Sequence, residues 1–204
     1  SKLMIPETEH SLTMGHVEIA VDEKHANVVD AATSGALEGL KLTLNVAAML
    51  IAFLGLVALV DATLGVFGGW VGGLFGYAWN WSLSMIFGYI FAPFAWLLGI
   101  PYADCLYAGE LLGKKMVLNE FIAYAQMMEW QQPGSGVELS ERSTVILTYA
   151  LCGFANFGSV GIQIGGIGGI APDRRADLAR LGIRAMIGGT LAMMMTACVA
   201  GILI

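Results

Sequence analysis

Four long stretches of this chain carry no charged side chain, and they constrain its fold more than any other feature. Leu42–Val60 runs for 19 residues, Ala62–Ala103 for 42, Ser143–Pro172 for 30 and Ala185–Ile204 for 20. A helix crosses the hydrocarbon core of a bilayer with about 20 apolar residues. Backbone in lipid must satisfy its own hydrogen bonds, which a helix does within one segment. The expected class is therefore all-α, a polytopic integral membrane protein whose first partner is the lipid bilayer. Composition agrees, with 13% charged residues against about 25% in a soluble domain. The net charge of −6 gathers mostly in the polar first 40 residues. No basic patch is present, so nucleic acid is excluded as a partner.

Residues 1–26 read as a polar connector. The chain opens on Ser1 and shows no signal-peptide pattern, and it is expected to lack membrane segments upstream. His10, His16 and His25 lie among Glu7, Glu9, Glu18, Asp22 and Glu23, a solvated connector rather than a metal site. Cys105, Cys152 and Cys198 are isolated in apolar surroundings, without metal-ligand or redox spacing, and read as small buried residues. No metal ligand cluster, cofactor motif or hydrolase constellation occurs, so an enzyme is not expected.

Residues 27–64 read as a long scaffold helix, which Asp61 closes as an uncharged run. Residues 65–102 form a glycine- and aromatic-rich region. Its Gly65, Gly68, Gly69, Gly72, Gly73 and Gly76 have small-xxx-small spacings that suit close helix packing; a loose interfacial connector is the equal alternative. Trp70, Tyr77, Trp79 and Trp81 suit a membrane–water boundary. Ser82–Leu98 reads as a tilted or interfacial helix broken by Pro93 and ending at Gly99-Ile100-Pro101.

Residues 103–131 do not read as a simple span. Asp104, Glu110, Lys114, Lys115, Glu120 and Glu129 punctuate them too closely. A re-entrant helical hairpin fits better. At its centre Asn119 and Glu120 place an amide and a carboxylate at membrane depth, where a carboxylate costs about 2.5–3.5 kcal/mol on insertion scales. Either Glu120 binds something, or it is a structural charge paired to Lys114 or Lys115. Gln131–Gly136 is a turn signal. Residues 138–170 read as a discontinuous transmembrane helix, because Gly153-Phe-Ala-Asn-Phe-Gly-Ser159 weakens a helix at its middle. Residues 173–204 form the last span. Arg174, Arg175, Arg180 and Arg184 place its start on the cytoplasmic side and the C-terminus on the outer face. Glu120 and Asn119 in the hairpin, with Asn156 and Ser159 in the broken helix, offer acceptors and donors for hydroxyl groups. A neutral polyhydroxylated solute suits them better than an ion alone.

The run Gly113-x-Lys115-x-x-x-Asn119-Glu120-Phe121-x-Ala123-Tyr124 resembles the signature of the concentrative nucleoside transporters, with Ile122 for the usual Val. Tyr149–Ile167 resembles that family's second discontinuous helix, although many members have Ser at Gly158. Met4–Glu9 and Arg174–Arg184 resemble family connectors. The resemblance covers essentially the whole chain. It implies the second inverted repeat of a secondary transporter, assembled as a homotrimer and driven by Na+ or H+, in a bacterial inner membrane. It implies cation-coupled symport of nucleosides. Glu120, Asn156 and Ser159 are the implied ribose contacts, Phe154 lies beside sugar and base, and Asn119 and Lys115 support the hairpin. The family's nucleobase contacts and most of its coupling-ion site have no counterpart here, so no cofactor and no metal are expected on this chain. Alternatives are a passive channel or pore subunit, an inactive structural fragment and, for Phe154 and Phe157, plain core packing.

Overall fold

The computed structural model describes residues 4–6, 26–76 and 81–204, and it is helical throughout, with no strand among them. The histidine-bearing stretch 7–25, Tyr77 and Trp79 lie outside the described residues. The first helix, α1 (Val28–Phe75), starts at Asn27, whose side chain accepts from the Asp30 amide at 2.9 Å. Its 48 residues extend about 72 Å at 1.5 Å per residue. That is more than twice the roughly 30 Å hydrocarbon thickness, so α1 must tilt or project. Asp61 does not interrupt it, and the glycine-rich stretch continues it by three turns beyond residue 64. Glycine weakens a helix by only about 1 kcal/mol each relative to Ala, which tertiary packing can offset. Gly68 and Gly72 are buried, whereas Gly69 and Gly73 have open space where a Cβ would stand. Only one of the overlapping glycine stripes is a packing face. Gly76, at φ 73°, ends the helix in the left-handed region that glycine adopts without a Cβ penalty.

Helix α2 (Leu83–Leu97) runs through Pro93 rather than ending there. Proline removes one i→i−4 bond, and so near the C-terminus only a single turn remains to be held. Asp61 accepts from the Leu83 amide at 2.7 Å, tying the start of α2 to the middle of α1. Next come α3 (Cys105–Val117) and α4 (Glu120–Trp130), joined by Leu118 and Asn119 alone. With 13 and 11 residues they are about 20 and 16 Å long, each too short to cross a bilayer. Helices α5 (Glu141–Leu151) and α6 (Phe157–Ile170) follow, separated by residues 152–156, and α7 (Arg175–Ile202) closes the chain.

The core lies where α2, α3, α4, α5 and α7 meet, around Leu111, Leu112, Ile146, Leu147, Leu151 and Ala197. α1 stands outside it and packs chiefly on α6. Small residues set the closest crossings. A Cβ on Gly109 would lie 2.3 Å from the Gly88 carbonyl oxygen, and one on Gly113 would lie 2.6 Å from the Gly88 nitrogen. α3 therefore meets α2 backbone to backbone. Gly161 and Gly165 instead make room on α6 for side chains of α1, where a Cβ would strike Phe53 at 2.4 Å and Met49 at 2.8 Å. The 161–169 stripe thus packs, whereas the Gly109/Gly113 pair was passed over in the sequence.

Candidate functional site

The site grows from two helix starts. Asn119 caps α4, its side-chain oxygen accepting from the Ile122 amide at 2.9 Å. Asn156 caps α6 and accepts from the Ser159 amide at 2.7 Å, while its own amide donates to Ser159 Oγ at 3.1 Å. This is a reciprocal capping box of the kind that satisfies otherwise orphaned N–H groups. Asn is favoured at both places because its short side chain reaches the exposed amides of the first turn. The sequence signal for the break was the glycine and polar content of 153–159, and Asn156 gives it a stereochemical stop.

The two starts converge. Asn156 Nδ2 donates to Glu120 Oε2 at 3.3 Å. The Leu118 carbonyl oxygen lies 4.0 Å from where a Gly158 Cβ would stand, so the hairpin tip abuts the first turn of α6. Helix N-termini carry roughly half a positive charge each, and here two of them face one carboxylate. The result is a half-buried carboxylate, Glu120, that accepts from the Asn156 amide. Such a set can accept from a hydroxyl pair and donate to hydroxyl oxygens.

The sequence-predicted residues fall into distinct roles. Asn156 is 2% exposed and Ser159 3%. The Ser159 hydroxyl donates to the Asn156 carbonyl oxygen at 2.6 Å, so its proton is already engaged in the cap. Phe154 is 52% exposed and stands on the rim of a groove of about 290 Å3 with Gly153, Ser159 and Met193. It is not core. Phe157 is, packing edge-on against Phe87 at 5.7 Å. Cys152, expected buried, is exposed in the break, while Cys105 is buried. Helix α5 ends at Leu151, which leaves Cys152 in non-helical backbone.

Neither lysine forms a salt bridge with Glu120 among the described residues. Lys114 pairs with Glu110 at 3.0 Å and with the Gln126 side-chain oxygen, and Gln126 returns a hydrogen bond to Glu110 at 3.1 Å. This triangle joins the two arms of the hairpin. Lys115 is 3% exposed and its ammonium donates to Met193 Sδ at 3.1 Å.

Sequence reasoning missed the polar links that hold hairpin and broken helix together. At one end Asp104 accepts from the Ser140 amide at 3.1 Å, the Ser140 hydroxyl at 2.8 Å and the Ser143 hydroxyl at 2.5 Å. Midway, the Tyr124 hydroxyl donates to the Thr148 carbonyl oxygen at 2.5 Å. At the tip stands the Glu120–Asn156 bond. Asp104 and Tyr124 were visible in the sequence as a charge and a motif aromatic, but nothing local named their partners 20 to 40 positions away.

Comparison with known proteins agrees with this geometry. A family model described as Na+ dependent nucleoside transporter C-terminus matches residues 1–201. The chain is similar to an uncharacterized transporter of Haemophilus influenzae, 48% identical over all of this chain and 48% of that protein. It is 41% identical to solute carrier family 28 member 3 of Homo sapiens, over all of this chain and 30% of that protein. The chain thus spans about half or less of the length of the curated relatives it matches. Among solved structures, a variant of CNTnw in an outward-facing state aligns with TM-score 0.84 and 40% identity, over 98% of this chain and 46% of that one. CNTnw in an inward-facing substrate-bound state aligns with TM-score 0.69 and 42% identity, over 98% and 45%. The chain is an integral membrane protein that belongs to the concentrative, Na+-dependent nucleoside transporter family and corresponds to its C-terminal region.

Proposed function

We propose that this chain supplies the ribose-binding half of a transporter that carries nucleosides across a membrane on a cation gradient. The observation that carries the reading is the Glu120–Asn156 bond. It joins a hairpin tip and a helix break into one polar cleft of the right chemistry for vicinal hydroxyls. Glu120 takes the hydroxyl protons, Asn156 orients Glu120 and gives its amide, the Ser159 hydroxyl oxygen contributes a further acceptor, and Phe154 supplies an apolar face for sugar and base. Asn119 holds the hairpin tip, and Lys115, buried on α3 and bonded to Met193, supports the hairpin. Similarity to sodium/nucleoside cotransporter 1 of Mus musculus, 39% identical over all of this chain, favours Na+ over H+ as the coupling ion.

In this reading α3 and α4 form a re-entrant hairpin, α5 and α6 a discontinuous transmembrane helix, and the whole a second inverted repeat. α1 is scaffold. The hairpin and broken helix move together against it in alternating access, and the polar links from Asp104 to Asn156 keep them one body. The unequal fit to outward-facing and inward-facing relatives, 0.84 against 0.69, supports such rearrangement over this part of the fold. A homotrimer in a bacterial inner membrane, with the arginines of 174–184 cytoplasmic and the C-terminus outside, completes it. Closure over ribose replaces water around Glu120 with hydroxyl donors. An empty closed site leaves the carboxylate short of partners, which couples occupancy to movement.

The test is uptake of labelled uridine and adenosine by the full-length transporter in proteoliposomes, with Na+ and proton gradients imposed separately. Saturable uptake that follows one gradient and collapses in Glu120→Gln is expected. Uptake indifferent to both gradients would indicate a passive pore and overturn the reading.

A further inference from the structure

Helix α5 ends unlike its neighbours. Every other α-helix among the described residues gives the amide of its C-cap residue to a carbonyl of its own last turn. The C-cap of α5 is Cys152, and among the described residues its amide makes no hydrogen bond of ordinary length and angle. A continued helix would give that amide to the Thr148 carbonyl oxygen, four residues back. The Tyr124 hydroxyl of α4 donates to this oxygen instead, at 2.5 Å. The chain then turns at once. The Gly153 amide donates to the Leu151 carbonyl oxygen at 2.8 Å around Cys152, at φ −68° and ψ 81°, an inverse γ-turn. The last carbonyls of a helix are often satisfied by side chains, and here the side chain comes from the hairpin.

Tyr124 owes this contact to its place on α4. It follows Glu120 by four residues, on the same helix face. Glu120 holds Asn156, the cap that follows the break, and Tyr124 holds Thr148, in the last turn before it. One face of α4 is thus a splint across the break. Its two anchors stand one turn, about 6 Å, apart, whereas in an unbroken helix Thr148 and Asn156 would be about 12 Å apart. A rewound helix fits the splint badly, so the splint resists rewinding. Gly153 adds a constraint from α7, because a Cβ there would lie 1.7 Å from Met193 Sδ. Helix α5 otherwise packs chiefly on α7, and Tyr124 is a polar tie from α4 to its end.

We infer that Tyr124 is a positioning residue for transport: its hydroxyl takes the place of the Cys152 amide at Thr148 and keeps α5 broken while the hairpin moves. Without that hydroxyl the Thr148 carbonyl is open to the Cys152 amide, α5 gains its last bond, and hairpin and break no longer move as one. The residue holds backbone, so it acts on the rate of the cycle and not on solute affinity. Its part in transport rests on the reading above; its hold on the break does not.

The test compares the full-length transporter with Tyr124→Phe, which loses the hydroxyl alone, and with Tyr124→Leu, which also loses the ring. Thermal melting establishes that each is folded. Hydrogen exchange in detergent, without nucleoside, reads the Cys152 amide in peptides spanning residues 147–156. Exchange there is expected to slow severalfold in Tyr124→Phe, because the amide gains the Thr148 carbonyl, whereas loosened packing alone would speed it. In proteoliposomes the maximal rate of uridine uptake per folded transporter is expected to fall roughly threefold to tenfold, the scale of one hydrogen bond, with uridine Kd held within twofold. Unchanged or faster exchange at Cys152 in both variants would show that the hydroxyl does not compete for Thr148, and would overturn the inference. Slowed exchange with an unchanged maximal rate would overturn the role in transport, and a rise in Kd matching the loss of rate would make Tyr124 a solute contact instead. Glu120→Gln keeps the two readings apart. Unaltered uptake in that variant discards the ribose site, while the exchange result for Tyr124 stands or falls without it.

Discussion

Asn156 Nδ2 reaches Glu120 Oε2 at 3.3 Å across 36 positions of sequence, and in doing so joins two helix N-termini that belong to different halves of the fold. One amide does two jobs. Its oxygen caps α6 through the Ser159 amide, and its nitrogen orients the carboxylate at the hairpin tip. The cap fixes the side chain, so the nitrogen points in one direction without further entropy loss. A site assembled this way is rigid where a solute would meet it, although Asn156 itself sits on non-helical backbone.

Removing only the charge at the centre should be costly for binding and cheap for folding. In Glu120→Gln, hydrogen bonds to a charged group worth about 1.5–3 kcal/mol are lost, which corresponds to roughly 10- to 100-fold in affinity. Uridine uptake in proteoliposomes is expected to fall by at least tenfold with thermal melting preserved. Unchanged uptake would remove Glu120 from the site.

The two jobs of Asn156 can be separated. Asn156→Ser keeps an N-cap and is expected to melt near the unaltered protein, yet its side chain no longer spans the gap to Glu120 and uptake falls. Asn156→Ala also loses the cap, at about 1 kcal/mol, and is expected to melt lower. Equal melting temperatures for the two variants would show that the capping box contributes nothing to stability.

Backbone contact between α2 and α3 predicts intolerance at Gly109. A methyl there meets the Gly88 carbonyl oxygen at 2.3 Å, and overpacking of this kind costs typically 1–3 kcal/mol. Gly109→Ala should lower the melting temperature by several degrees. Gly69→Ala, with open space around its Cβ, is the matched control and should hold or gain stability through helix propensity. Similar melting of both variants would mean that the α2–α3 crossing is looser than described.

Asp104 anchors the start of the hairpin to the start of α5 through Ser140 and Ser143. Asp104→Ala leaves the buried Ser143 hydroxyl without its acceptor, at about 1–3 kcal/mol. Lower thermal stability with an unchanged uridine KM is expected, because the residue lies at the opposite end of the hairpin from Glu120. A raised KM with normal melting would instead place Asp104 in the solute path.

Much of this molecule was legible before any coordinates. Uncharged runs dictate helices in lipid because an apolar segment of that length has no other way to satisfy its backbone. The charges between Asp104 and Glu129 spoke against a simple span, and the chain there forms two short helices, α3 and α4. The Gly153–Ser159 stretch announced a break because its residues favour caps over helix interiors. The motif residues Glu120 and Asn156 could be singled out by type and resemblance. What the chain alone left open is of one kind: which residues meet across long separations. The glycine stripes at 65–76, 109–113 and 161–169 look alike as spacing, yet one is half open, one lies on α2 and one on α1. Pro93 and Asp61 look like helix ends, yet both sit inside helices held by their neighbours. Lys115, a natural partner for Glu120 on paper, turns instead to Met193, and Ser159 spends its proton on a cap. Local propensity and composition act within a turn or two of helix, so they determine elements and their solvent. Partner choice depends on packing between elements, and only the tertiary structure decides it.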